Sequence, residues 1–319
     1  MARYLVTGGA GFIGSHIAER LLRDGHEVRI FDDFSTGRQE NVDALRGAGA
    51  TRLEVHEADL RDPKAVRRAV AQVDGIFHEA ALGSVPRSID DPWTSLQVNE
   101  AGTLDLLIAA RDAKVKRVLF AGSSSVYGEL EKLPKHEDDP LKPISPYGLT
   151  KLVGEEYLRL FKSLYGLETV TLRYYNVFGP RQNPDGPYAA VIPLFIRWLL
   201  RGEAPRVHGD GEQSRDFTYV ENVVDANLLA MEAPAEKVSA GLFNVAAGGR
   251  HSLNDLLRIL GEILGVDPQP VHEPARVGDV RHSQADISRI EACLGFRAGV
   301  SFEEGLKRTV AYFREQEQG

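Results

Sequence analysis

With 319 residues, 43% of them hydrophobic, the chain can bury a large core and its length fits about two domains, which excludes a peptide or a disulfide-stapled scaffold. One cysteine, Cys293, excludes an internal disulfide, no apolar run approaches the roughly 20 residues of a membrane span, and the start Met1-Ala2-Arg3-Tyr4-Leu5-Val6-Thr7-Gly8 carries no signal-peptide stretch, so the chain is expected in the cytoplasm. Thirty-eight basic against 46 acidic side chains, a net charge of −8, oppose non-specific binding to nucleic acid or anionic membrane and leave room for a small phosphorylated partner held by a few arginines.

From the N-terminus, short β-branched runs alternate with helix-length amphipathic stretches. Strands are expected at residues 4–7, 27–31, 52–57, 75–78, 118–121 and 168–173, and helices at 12–23, 63–72, 93–113 and 146–165. The last of these has Ser145 as N-cap, Pro146 at its first position, and an apolar stripe of Leu149, Leu152, Val153, Leu160, Phe161 and Leu164. Past residue 176 the alternation fades and polar residues gather between 181 and 187. Residues 217–233 again read as strand, turn and helix, and a final helix is expected over 302–316. Repeated strand-helix units predict a doubly wound, mainly parallel α/β sheet of the Rossmann kind over residues 1–175. The chain is expected to return to it at about 217–240, interleaved with a smaller substrate domain over 176–319.

The first strand runs into Gly8-Gly9-Ala10-Gly11-Phe12-Ile13-Gly14, a glycine loop that opens a helix and lets backbone N–H groups approach a pyrophosphate. The second strand ends at Asp32, where an acidic side chain can accept from the adenosine ribose hydroxyls. Its carboxylate repels a 2′-phosphate, so NAD is expected over NADP; Arg38 is the one dissenting charge nearby. Asp59-Leu60, after the third strand, can meet an adenine amino group or simply close a turn. Ala80-Ala81, after the fourth, leave space for a cofactor against the backbone, or pack tightly for its own sake.

Tyr147 and Lys151 are four apart on the helix over 146–165 and share a face, which the wheel sets away from the apolar stripe. A phenol near pKa 10 becomes a useful base near neutral pH only with roughly 4 kcal/mol of help, which an ammonium and a cationic nicotinamide can supply. Gly122-Ser123-Ser124-Ser125 follows the fifth strand, placing hydroxyls at the carboxyl end of the sheet, where one can polarise a substrate or shuttle a proton. Nine histidines show no ligand spacing with carboxylates or Cys293, so no metal is expected.

The Thr7–Gly14 loop, Ser123 to Gly128, Ser145-Pro146-Tyr147-Gly148-Leu149-Thr150-Lys151, the run Arg173 to Arg181 and the run Gly209 to Phe217 together resemble the extended short-chain dehydrogenase/reductases, and within them the NAD-dependent UDP-sugar 4-epimerases. The resemblance implies that Tyr147 is the general acid/base and that Lys151 lowers its pKa and holds the nicotinamide ribose. It gives Ser123 the sugar O4, Arg215 and Arg276 the diphosphate, Asn176 the diphosphate or glycosyl part, and Asp279 the uridine ribose. It also implies retained cofactor and a homodimer packed through the helices near 93–113 and 146–165.

Epimerisation needs only that a 4-keto sugar turn over. A 4,6-dehydratase also needs an Asp-Glu pair where this chain has Ser124 and Ser125, which disfavours dehydration. A UDP-glucuronate 4-epimerase or decarboxylase stays open, because Arg87 can pair with a sugar carboxylate; equally, it can be an ordinary loop arginine. A non-catalytic NAD sensor has no need of Tyr147, Lys151 and Ser123. The loop Leu82 to Ser88, with Ser84 and Arg87, resembles that of UDP-N-acetylglucosamine 4-epimerases. Ser283 stands where the enzymes confined to UDP-glucose and UDP-galactose carry a bulky side chain, which predicts room for an N-acetyl group.

Overall fold

The structure, a computed structural model, describes residues 1–185, 189–238, 241–274 and 280–318. Its first six strands are β1 (Arg3–Thr7), β2 (Glu27–Asp32), β3 (Leu53–Glu57), β4 (Gly75–His78), β5 (Arg117–Ser123) and β6 (Glu168–Tyr174). Four short pieces follow, β7 (Val177–Phe178), β8 (Arg206–His208), β9 (Ser214–Arg215) and β10 (Thr218–Tyr219), then β11 (Leu242–Val245), β12 (His251–Ser252) and β13 (Val271–Glu273). The main sheet runs β11-β6-β5-β4-β1-β2-β3 and is parallel throughout. Strands β1, β2, β4, β5 and β6 are buried over most of their length, as strands covered by helices on both faces must be. The chain winds outward through β2 and β3, then crosses back to β4, so the order reverses beside β1 and opens a crevice at the carboxyl ends.

The helices are α1 (Phe12–Arg23), α2 (Gln39–Gly49), α3 (Pro63–Val70), α4 (Val85–Asp90), α5 (Pro92–Leu96), α6 (Gly102–Asp112), α7 (Pro146–Tyr165), α8 (Val191–Leu200), α9 (Val220–Glu232), α10 (Leu253–Leu264), α11 (Ser288–Leu294) and α12 (Phe302–Gln318). One face of the sheet packs Val66, Leu107, Leu158 and Phe161 of α3, α6 and α7 over Leu5 and Phe120. On the other, one core runs from Ile17 and Leu21 of α1 through Val223 of α9 to Phe243 of β11 and Ile290 of α11. A separate core joins Phe195 of α8, Leu256 of α10 and Leu306 of α12 to Phe217 and Tyr219.

Two features differ from the sequence expectation. The helix expected over 93–113 is present but irregular: Asp91 caps α5 by accepting from Thr94 N–H, and a π-helical turn, Gln97–Ala101, joins α5 to α6 without interrupting the helix. That wider turn accompanies Asn99, whose carboxamide accepts from Leu82 N–H at 2.8 Å and donates to Thr150 Oγ1 at 3.1 Å, a use of irregular helix near a site. The second difference is in α7. Ser145 caps it as expected, accepting from Gly148 N–H at 3.1 Å, but the face turned to the sheet is Gly148, Lys151, Gly154, Glu155, Leu158 and Phe161. Of the expected apolar stripe, Leu149, Leu160 and Leu164 are exposed.

Candidate active site

A cleft of about 560 Å³ lies along the carboxyl ends of the strands. At one end β1 turns sharply into α1. Gly8 sits at φ +67°, where glycine is at ease. A Cβ on Gly14 would stand 2.2 Å from the Gly8 carbonyl oxygen, so loop and helix touch backbone to backbone. Gly11 precedes the helix and supplies no side-chain cap, which leaves the N–H groups of Phe12 and Ile13 for an anion at the positive end of the helix. Asp32, the last residue of β2, lines the cleft; its carboxylate accepts from Ala10 N–H at 3.0 Å and Phe34 N–H at 2.9 Å. Burial pushes this carboxyl up, and the backbone donors pull against it. Arg38 is turned to Asp185, 3.7 Å away. Asp59 holds Arg61 in a forked pair, and that bond keeps its carboxyl below the usual range. The cradle fits a dinucleotide: a close glycine turn, an uncapped helix start and a buried acid at the next strand end.

At the other end, Ser123 closes β5 and its Oγ meets Ser125 Oγ at 3.0 Å while accepting from Ser125 N–H. Lys151 is buried and donates to the Ala121 carbonyl at 2.8 Å. Burial lowers its pKa to about 8, with the charges of Glu79 and Glu155 raising it in return. The Tyr147 hydroxyl is raised by burial first, lowered by the nearby Ser123 hydroxyl, and raised again by Glu79.

Of the residues singled out in the sequence, Gly8, Gly11, Phe12, Ile13, Gly14, Asp32, Asp59, Leu60, Ala80, Ala81, Ser84, Arg87, Ser123, Tyr147, Lys151 and Asn176 all line this one cleft. Arg215 and Ser283 are not among its described lining residues: Arg215 donates to the carbonyls of Ser214 and Arg281, and Ser283 is buried, its N–H on Ser214 O at 3.0 Å. Arg276 and Asp279 lie outside the described residues. Among the lining side chains that sequence reasoning passed over are Glu79, Tyr174 and Arg181. The signal for Glu79 was an acid set between an apolar strand and Ala80-Ala81. Arg181, at φ +66°, pairs with Glu19, and His16 of the same helix meets the Pro180 carbonyl at 3.0 Å. Among the described residues no cluster of three or more His, Cys, Asp or Glu is placed to hold a metal, and no helix is long and apolar enough to cross a membrane.

A chain built this way is a dinucleotide-dependent enzyme. The family model described as the NAD dependent epimerase/dehydratase family matches residues 4–246. The UDP-glucose 4-epimerase of Mycolicibacterium smegmatis is 40% identical over 318 residues, 99% of this chain and 100% of that protein. The solved UDP-N-acetylglucosamine 4-epimerase of Methanobrevibacter ruminantium, in complex with UDP-N-acetylmuramic acid, superposes with a TM-score of 0.92 at 42% identity, covering 99% of each chain. A UDP-N-acetyl-α-D-glucosaminuronate decarboxylase of Bacillus cytotoxicus is 35% identical over 330 residues, 99% of this chain and 98% of that protein. The chain belongs to the NAD dependent epimerase/dehydratase family, among the extended short-chain dehydrogenase/reductases, and its cofactor is NAD.

Proposed function

We propose that the protein is a cytoplasmic UDP-hexose 4-epimerase, acting on UDP-glucose and UDP-galactose and also on UDP-N-acetylglucosamine and UDP-N-acetylgalactosamine. The observation that carries this reading is the cleft wall at the end of β5, where Ser123 lines the same cleft as Tyr147 and Lys151 and the next two positions hold the hydroxyls of Ser124 and Ser125. Gly8, Gly11, Gly14 and the start of α1 hold the pyrophosphate of NAD, Asp32 takes the adenosine ribose, and Lys151 the nicotinamide ribose. The chemistry the cofactor supplies when bound is reversible removal of hydride from the sugar C4. Tyr147 takes the proton of the O4 hydroxyl and later returns it, a role worth about 100- to 10,000-fold in rate. Ser123 donates to O4 and fixes it against the phenol. Ser124 and Ser125 offer no carboxylate for withdrawing a C5 proton, so the keto sugar is returned rather than dehydrated. Arg215, Arg276, Asn176 and Asp279 form the nucleotide-sugar side, with Ser84 and Arg87 over the hexose.

The reading keeps the division into a dinucleotide domain, 1–175 with its return at about 217–240, and a sugar-nucleotide domain in the remainder. It also includes a homodimer. Ile89, Trp93, Leu149 and Leu164 stand exposed on α4, α5 and α7, with Trp93 66% and Leu164 67% accessible, and a second copy laid on that face buries them. Purified protein incubated with a panel of UDP-sugars without added NAD, its products identified by NMR, tests the function. Interconversion of 4-epimers is the expected result; loss of carbon dioxide from a UDP-uronate with no epimerisation of neutral sugars overturns it.

A further inference from the structure

We propose that Glu79 is a positioning residue for the reaction, the half-buried counter-charge that keeps Lys151 an ammonium and restrains the ionisation of Tyr147. The inference rests on the reading of those two residues as the proton-handling pair. Glu79 follows His78, the last residue of β4. Since His78 pairs with Phe120 of β5, Glu79 comes level with Ala121, the residue whose carbonyl holds Lys151. Its side chain lines the cleft together with Tyr147 and Lys151.

The carboxylate is held from behind. Tyr174, at the end of β6, meets Glu79 Oε1 at 2.9 Å, and Asn227 of α9 donates to the Tyr174 hydroxyl at 2.8 Å. Because that amide already occupies the acceptor side of the hydroxyl, the single phenolic proton points to Glu79. Asn227 is itself fixed by donating to the Val223 carbonyl at 2.8 Å. Asn227 of α9 thus orients Tyr174 of β6, which alone reaches the carboxylate, and the direction of the proton specifies an acceptor there.

The groups that act on this carboxylate are Lys151 and Tyr147 from α7 and the Tyr174 hydroxyl from β6, with the His78 ring one residue away in β4. Lys151 is the one cation among them, since burial drives His78 down to about 3 and keeps it neutral. Burial lifts Glu79 to about 7, while the Tyr174 bond and the Lys151 charge hold it down. An ionised Glu79 raises both Lys151 and Tyr147. It therefore extends the range over which the lysine is charged, and it delays formation of the phenolate.

Glu79→Gln keeps an acceptor for Tyr174 and removes the charge. Ionisation of Tyr147 is followed by near-ultraviolet tyrosinate absorbance across pH, each protein being referenced to the same protein carrying Tyr147→Phe. Tyr147 is expected to ionise roughly one pH unit lower in Glu79→Gln. Tyr174→Phe, which withdraws the hydroxyl donor and so favours the neutral acid, is expected to shift it the same way by less, and it carries the test alone if Glu79→Gln does not fold. Turnover against pH gives an independent readout: both limbs of the profile move to lower pH in Glu79→Gln, whereas a merely structural loss lowers turnover without moving either. An unmoved Tyr147 titration overturns the proposal even if the enzyme epimerises UDP-sugars. A shifted titration in a protein that turns over no UDP-sugar upholds it and removes the functional reading instead.

Discussion

The ammonium of Lys151 stands 6.0 Å from the centre of the Tyr147 ring and is bonded to the Ala121 carbonyl. The two side chains share a helix face, as their spacing of four implies, yet the lysine is anchored to the sheet rather than to the phenol. Tyr147→Phe is therefore expected to leave the fold and the bound NAD intact while turnover falls about 100- to 10,000-fold. Single-turnover kinetics on protein with measured cofactor content separates the two, and near-normal kcat in this variant would show that another group moves the proton.

The cofactor end gives a second expectation. A Cβ at Gly14 meets the Gly8 carbonyl oxygen at 2.2 Å, and a backbone oxygen has little freedom to retreat. Gly14→Ala is expected to displace the loop and yield protein stripped of NAD. Asp32→Ala removes the acceptor of two backbone N–H groups as well as the proposed ribose contact, with a loss of about 1.5 to 3 kcal/mol in NAD binding, the range for hydrogen bonds to a charged group. Calorimetry with both dinucleotides checks this; equal affinity of the unmutated protein for NAD and NADP contradicts the role given to Asp32.

The parallel sheet and its cofactor loop are written locally, in β-branched runs, glycines and a strand-end acid, and for that reason they were legible. The orientation of α7 was not. Its buried face carries Lys151 and Glu155 because Ala121 and Arg173 supply polar partners beneath, and no helical wheel contains those partners. The exposed leucines Leu149, Leu160 and Leu164 read as core for the same reason. Glu79 was missed because its use depends on Tyr174 and Asn227, brought near from 95 and 148 residues away only once β6 and α9 are in place. The π turn at Asn99 likewise follows from a contact to Thr150 that sequence spacing does not show.

Acid stability provides a third test. Thr103 donates its hydroxyl proton to the Asn99 carbonyl at 2.6 Å, so it accepts from Nε2–H of His78 at 2.9 Å, which leaves Nδ1 to accept from Thr7 at 2.7 Å. The ring is held neutral, driven by burial and by Lys151 from 6.5 down to about 3. A lowered folded-state pKa means the unfolded chain binds the proton more readily, so this contribution is complete above 6.5 and is lost as pH falls toward about 3. His78→Gln is expected to be less stable at neutral pH but to show a flatter decline across that window. Urea denaturation at a series of pH values measures both; parallel declines in the two proteins contradict the assignment.

The last prediction concerns which hexose enters, and it turns on Ser283. The residue is 8% accessible, its N–H is on the Ser214 carbonyl, and the preceding His282 ring meets Ser214 Oγ at 2.8 Å. A side chain enclosed to this degree cannot grow without taking space from whatever it faces, and overpacking of this kind costs about 1 to 3 kcal/mol. Where that space belongs to the sugar pocket, Ser283→Tyr takes the room proposed for the C2 substituent: turnover of UDP-N-acetylglucosamine and UDP-N-acetylgalactosamine falls far more than that of UDP-glucose and UDP-galactose. Where the space belongs to the packing against β9, the ring disturbs the fold and both pairs fall together. Specificity is a difference between two free energies, so the ratio of kcat/KM for the two pairs, measured in wild type and variant alongside thermal stability, is the quantity that decides. The expected outcome is a ratio shifted against the N-acetylated pair at little-changed Tm; an unchanged ratio, or a wild type that ignores the N-acetylated sugars, shows that Ser283 does not border the hexose.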